Sequence, residues 1–210
     1  MYKAMASHYG PTHWWPGDTA FEIAIGAILT QNTAWTNVEK AIANLKQADL
    51  LHPRRMAAAS LAELETAIRP SGYYRQKAER LHIFCHFLIE NHGGSMKRLA
   101  TLPLERLRPM LLAVKGIGPE TADDILLYAC EKPVFVVDAY TRRILARHGL
   151  VEETIPYDAL QQLFHDHVPR QVALYKEYHG LIVWTGKDYC RRHPACAGCP
   201  LRDWAARAPG

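Results

Sequence analysis

Two short stretches restrict this chain more than any other. The first reads Leu111-Leu112-Ala113-Val114-Lys115-Gly116-Ile117-Gly118-Pro119-Glu120-Thr121-Ala122. An apolar helix runs into a Gly-Ile-Gly turn, and Pro119 opens a second helix. The glycines let the backbone turn tightly and let a partner come close with no Cβ in the way. Glycine after one helix and proline at the first position of the next is also ordinary helix punctuation. The turn by itself therefore fits either a plain helical corner or an anion grip, in which backbone N–H groups at the new helix start are available. The second stretch, Val136-Val137-Asp138-Ala139-Tyr140-Thr141-Arg142, puts a carboxylate after apolar residues and just before another helix. An Asp there is a good N-cap, and it can also be a rigidly held site acid.

Almost every other segment reads helical. Thr19-Ala20-Phe21-Glu22 and Ser60-Leu61-Ala62-Glu63 are capping-box patterns. Behind them Phe21, Ile25, Ile28 and Leu29, and then Leu61, Leu64 and Ile68, recur at helical spacing. Gln31-Asn32-Thr33 interrupts the first of these helices, and a new one carries Ala34, Val38, Ile42 and Leu45. Pro70-Ser71-Gly72 turns into a long helix through Ala78, Leu81, Cys85 and Leu88 that stops at Gly93-Gly94. Further helices are expected from Asp138 to His148 and over roughly 157–167 and 170–185. Pro109 should kink or restart the helix before the turn. Only Val134–Val137 looks strand-like, and there are no repeats or linkers.

With 210 residues, 49% of them hydrophobic, the chain can bury a real core. Its net charge of +4 is compatible with a nucleic-acid partner. The first residues lack the apolar core of a secretory signal, and no apolar run is long enough to cross a membrane. The expected location is therefore cytoplasmic and nucleoid-associated. Three of the 5 cysteines crowd near the end, which suggests metal chemistry in a reducing compartment. Cys85 and Cys130 fall on apolar faces and read as core residues.

The hairpin with its downstream Asp resembles the helix-hairpin-helix DNA glycosylases of the endonuclease III superfamily. That resemblance implies an all-α, two-domain fold. One domain would span residues 20–131, the other 1–19 plus 132–210, with the active-site cleft between them. It implies a monomer acting on double-stranded DNA that contains a damaged base. Gly116, Ile117 and Gly118 would grip the backbone with Lys115 and Arg142, Gln31 would fill the gap left by the flipped base, and Asp138 would be the catalytic acid. The Gly72-Tyr73-Tyr74-Arg75-Gln76-Lys77 turn is similar to a family turn that is structural, with some phosphate contact. The segment from Pro103 to Gly116 is about two residues longer than the family usual.

In bifunctional members of the family, a Lys two residues after the second hairpin glycine forms a Schiff base with the sugar. Here that position is Glu120, which implies a monofunctional enzyme that uses water; Glu120 then offsets the helix dipole. Trp14-Trp15-Pro16 and the Gln31-Asn32-Thr33 segment followed by Trp35 are similar to the 3-methyladenine DNA glycosylase branch. Trp14, Trp15 and Trp35 would then sandwich an extruded base, and aromatic faces favour a cationic alkylated purine. The same tryptophans could instead pin the tail to the core. An endonuclease III-like glycosylase/lyase for oxidised pyrimidines is the other enzymatic reading, and a DNA-binding module without chemistry is a third.

Cys190, Cys196 and Cys199 sit as Cys-x5-Cys-x2-Cys. Many family members add a fourth Cys and bind a [4Fe–4S] cluster, and some alkylpurine members lack it. The fourth Cys would fall near Ala205. Asp203, His193 or water could stand in for it, zinc could use His193, or the loop could be metal-free. No cofactor is needed for the chemistry. Arg191, Arg192 and Arg202, like Arg143 and Arg147, could approach phosphate.

Overall fold

The computed structural model describes residues 1–204. Among these the protein is all-α, with no strand. The helices are α1 (Tyr2–Tyr9), α2 (Ala20–Leu29), α3 (Trp35–Gln47), α4 (Pro53–Ala58), α5 (Leu61–Ile68), α6 (Tyr74–His92), α7 (Met96–Ala100), α8 (Leu104–Leu112), α9 (Pro119–Asp124), α10 (Ala139–Arg147), α11 (Tyr157–His167) and α12 (Val172–Asp188). The chain divides into two compact units. One is Pro16–Lys132, and the other is Met1–Trp15 with the chain from Pro133 onward.

In the Pro16–Lys132 unit, α2 is buried on nearly every side. An all-round apolar helix must be surrounded, and α3, α6, α7 and α9 pack against it. Thr19 caps it by accepting from the Glu22 N–H at 3.1 Å, while the Glu22 carboxylate reaches the Asp18 N–H rather than closing the box on Thr19. The Ser60–Glu63 box closes in both directions. Helix α6 starts after Gly72 and Tyr73, both at positive φ, and ends at a left-handed Gly93. Pro109 lies inside α8, which runs on to Leu112 instead of restarting there. After α9 the backbone widens into a π-helical stretch, Ile125–Ala129, in which the Cys130 N–H bonds the Ile125 carbonyl five residues back. Cys85 and Cys130 are core residues, and burial pushes both thiols up to about 12.

Lys77 is fully buried in this unit. Its ammonium donates to the Leu29 carbonyl at 2.8 Å and to the Ser71 carbonyl at 2.7 Å, tying the end of α2 to the turn before α6. Replacing it with Met leaves both acceptors without that donor, at an expected cost of about 1–3 kcal/mol each. Burial, and then the Arg80 charge, bring the Lys77 pKa down to about 8. An unfolded Lys titrates near ~10.4, so between these values the unfolded chain binds the extra proton and Lys77 adds stability as pH rises. Urea unfolding of wild type and Lys77→Met at several pH values should show their stability difference widening through that window.

In the other unit, α1 and α10 pack on α12. The Val134–Val137 segment is buried and belongs to no helix or strand. Side chains of α11 take its backbone groups instead. The Phe135 N–H donates to His165 Nε2 at 3.0 Å, and Gln161 Nε2 donates to the Phe135 carbonyl at 2.6 Å. The Phe135 ring stacks on Phe164 at 3.9 Å and meets Tyr175 and Tyr178 edge-on. This anchoring delivers Asp138 to the start of α10 in one position.

Two glycines let α12 be approached closely. A Cβ on Gly180 would sit 2.6 Å from Thr12 Oγ1 and 2.7 Å from Trp14 Cβ, and one on Gly186 would sit 2.7 Å from Tyr140 Cγ. The N-terminal segment is further held because Thr12 donates through its N–H and its hydroxyl to the Glu177 carboxylate, each at 2.9 Å.

Candidate active site

The Gly-Ile-Gly turn is built on one glycine at positive φ and one in extended backbone. Gly116 has φ +91°, and a Cβ there would overlap Arg80 Cγ and lie 2.8 Å from its Cδ. Gly118 has extended backbone, and a Cβ there would meet nothing within 4 Å. The fold therefore requires glycine at 116 but not at 118. Ile117 is buried and pins the turn, while Lys115 and Glu120 are exposed.

Gln31 closes the turn from below. Its Nε2 donates to the Gly116 carbonyl at 3.0 Å and to Thr121 Oγ1 at 2.9 Å, and its Oε1 accepts from Arg80 Nη1. The residue expected to fill the gap in DNA is thus bonded to the hairpin in this structure. Trp35 begins α3 and is half-buried.

In the other unit, Asp138 caps α10. Its Oδ1 accepts from the Thr141 N–H at 2.7 Å and the Thr141 hydroxyl at 2.8 Å. Its Oδ2 lies 3.6 Å from Nε2 of His179 on α12, with side-chain exposures of 12% for Asp138 and 4% for His179. Burial pushes the Asp138 carboxyl up. The nearby His179 imidazole, with the Thr141 N–H and hydroxyl, pulls it further down, and it settles below the usual carboxylate range. An ionised carboxylate in a nearly dry position can stabilise a developing cation strongly. Sequence reasoning did not find His179, because a His on a largely apolar helix carries no signal until its partner is known.

Trp14 and Trp15 are half-buried and meet edge-on at 6.0 Å, and Lys187 Nζ lies 5.0 Å from the Trp14 ring centroid. Arg142, also half-buried, follows Thr141 on α10. The basic residues beyond it bond groups of the cysteine region. Arg143 Nε donates to the Cys190 carbonyl at 2.6 Å. Arg147 donates to the Arg191 and Arg192 carbonyls and to Cys190 Sγ. Arg191 and Arg202 likewise bond backbone carbonyls within the same region.

Cys190, Cys196 and Cys199 line one hollow of about 440 Å³ with Arg147, His148 and Leu201. Cys190 and Cys199 are buried and Cys196 is exposed. His193 is exposed, Asp203 pairs with Arg202 at 3.5 Å, and Ala205 lies outside the described residues. Among the described residues no three His, Cys, Asp or Glu side chains converge to hold a metal ion. A [4Fe–4S] cluster takes four ligands, and three thiols line this hollow. No helix among the described residues is long and apolar enough to cross a membrane.

An all-α fold carrying a glycine hairpin and a buried, ionised aspartate at a helix start defines a class of DNA repair protein, and comparison with known proteins agrees. Residues 25–170 match the model of the HhH-GPD superfamily of base excision DNA repair proteins. A relative from Methanocaldococcus jannaschii, provisionally named a DNA repair glycosylase, is 43% identical over 97% of this chain and 93% of its own length. The H. pylori 3-methyladenine DNA glycosylase, solved with 1,N6-ethenoadenine bound, is similar with TM-score 0.78 and 34% identity over 89% of this chain and 95% of that one. A trapped endonuclease III–DNA covalent intermediate is similar with TM-score 0.83 and 25% identity over 98% of this chain and 94% of that one. The chain belongs to the HhH-GPD superfamily and is a DNA N-glycosylase. The reading as a binding module without chemistry is thereby set aside.

Proposed function

We propose that this chain is a monofunctional DNA glycosylase that hydrolyses the N-glycosidic bond of an alkylated purine such as 3-methyladenine, acting as a monomer on duplex DNA. The observation that carries the reading is the Asp138 carboxylate, buried yet held below the usual carboxylate range. Breaking the bond between base and sugar develops positive charge on the sugar, as in glycoside hydrolysis. Asp138 stabilises that charge and orients or deprotonates the attacking water. The target base must first leave the stack. Gly116, Ile117 and Gly118, with Lys115 and Arg142, hold the backbone while this happens. Gln31 enters the vacated space after letting go of the hairpin.

Glu120 stands where an imine-forming Lys would be needed, and a carboxylate cannot form an imine. An alkylated purine is supported by the likeness to the H. pylori enzyme and by the tryptophans, since a cationic base is attracted to aromatic faces and is a good leaving group. Trp15 and Trp35 are the stronger candidates for the base pocket. Trp14 is weaker, because a cation already lies against its ring.

The likeness to endonuclease III, at TM-score 0.83, favours the glycosylase/lyase for oxidised pyrimidines as a second reading. Base release from duplexes that each carry one alkylated, oxidised or deaminated base separates the two. The expected result is release of the alkylated purine, with no adduct trapped by borohydride on abasic-site DNA. A stable covalent adduct, or release of oxidised pyrimidines alone, overturns the proposal.

A further inference from the structure

Asp138 uses its two carboxylate oxygens differently. Oδ1 is taken twice by Thr141, through N–H and hydroxyl, so it belongs to the cap of α10. Oδ2 faces His179 at 3.6 Å. His179 is buried at 3% exposure, and the helix carrying it is closely approached at two positions just beyond it. Thr12 and Trp14 sit in the notch at Gly180, and the Tyr140 ring sits in the notch at Gly186. These close approaches fix the register of α12 against the segments that touch it.

We propose that His179 is a positioning residue for the glycosylase reaction, holding Oδ2 of Asp138 as the oxygen presented to the sugar and balancing its negative charge until the sugar cation forms. The proposal rests on the reading of Asp138 as the reacting carboxylate. A buried carboxylate with no counter-charge takes up a proton, and a protonated Asp138 neither stabilises a cation nor activates water. Thr141 orients Oδ1 but brings no charge. Tyr140 follows Asp138 on α10, and Glu177 precedes His179 on α12. The Tyr140 phenol is driven up by burial and then by the Asp138 charge, and it carries the Arg143 guanidinium 4.9 Å from its ring centroid. The Glu177 carboxylate is taken by Thr12. Among these His179 is the group whose ring nitrogen directly faces Oδ2. A gap of 3.6 Å is one that a Michaelis complex can tighten.

The test uses the full chain with His179→Phe, which removes both donor and charge, and His179→Gln, which keeps a donor. The Asp138 carboxyl is followed by carbon NMR, its resonance assigned with Asp138→Asn, while single-turnover base release is measured against pH. In His179→Phe the Asp138 titration should rise by about one pH unit or more. The acid limb of the rate should move with it, and the rate at neutral pH should fall about tenfold or more, with affinity for an abasic-site duplex unchanged. His179→Gln should recover most of the neutral-pH rate, with a smaller upward shift of the Asp138 titration.

An Asp138 titration that stays in place in His179→Phe overturns the proposal. So does a rate loss that His179→Gln fails to recover while melting temperature falls, since that is the mark of a packing role. If His179→Phe does not fold, an unshifted titration in His179→Gln overturns it equally. The titration needs no substrate. A wild-type protein that releases no base from any duplex therefore sinks the glycosylase reading of Asp138, whereas an unshifted titration sinks the role of His179.

Discussion

Asp138→Asn lowers base release by about a thousandfold or more while duplex binding persists. The size follows from what is removed and what is kept. Asn is as good an N-cap as Asp, so the Thr141 N–H keeps its acceptor and α10 keeps its start. What disappears is the negative charge, in a position where 12% side-chain exposure gives water little chance to replace it. The same substitution has a signature in stability. The Asp138 carboxyl is held below its ordinary range in the folded chain, so it stabilises the native state above the unfolded value near ~3.9 and loses that contribution as pH falls through the folded value. Asp138→Asn should abolish that part of the acid-side loss. Single-turnover base release, with duplex affinity measured alongside, checks the first expectation, and urea unfolding against pH checks the second. Retained base release would dismiss Asp138 as the acid.

The two hairpin glycines should fail in different ways. Gly116→Ala forces a side chain onto φ +91° and into Arg80, at an expected cost of about 1–3 kcal/mol in backbone strain, with displacement of Arg80 added. Arg80 also bonds Gln31, which bonds the Gly116 carbonyl, so the latch under the turn should loosen together with the turn. Gly118→Val adds a side chain to open space at an extended backbone position, so thermal stability should change little. Its effect should be on DNA, as a weakening of about tenfold or more that is equal for damaged and undamaged duplexes, because backbone contacts carry no sequence information. Melting curves and binding titrations of both variants separate fold from contact. Undiminished binding by Gly118→Val would remove the hairpin from the DNA interface.

Features set by neighbouring residues were readable in advance. The helices follow from capping patterns at Thr19 and Ser60, apolar spacing in α2 and α6, and punctuation at Gly72, Gly93 and Pro119. The hairpin and the Asp before α10 are local patterns of the same kind. Pro109 does not restart the helix, because its neighbours in α8 continue through it. The arginines at 143 and 147 read as a charged cluster, and what the local pattern did not show is that they bond carbonyls and a thiol more than forty residues further along, among them Cys190 and Arg191.

The pairings that give the site its chemistry are long-range in the same way. His179 reaches Asp138 across 41 positions, and Gln31 reaches Gly116 across 85. Neither pair leaves a trace in local periodicity, because a side chain buried against a distant partner follows the same helical spacing as one packed in a core. Spacing along the backbone was enough to make this chain a set of helices around a glycine corner with one aspartate at a helix start. Which oxygen of that aspartate is held by the cap, and which faces a buried imidazole, depends on how α10 and α12 meet, and that contact exists only once the chain has closed on itself.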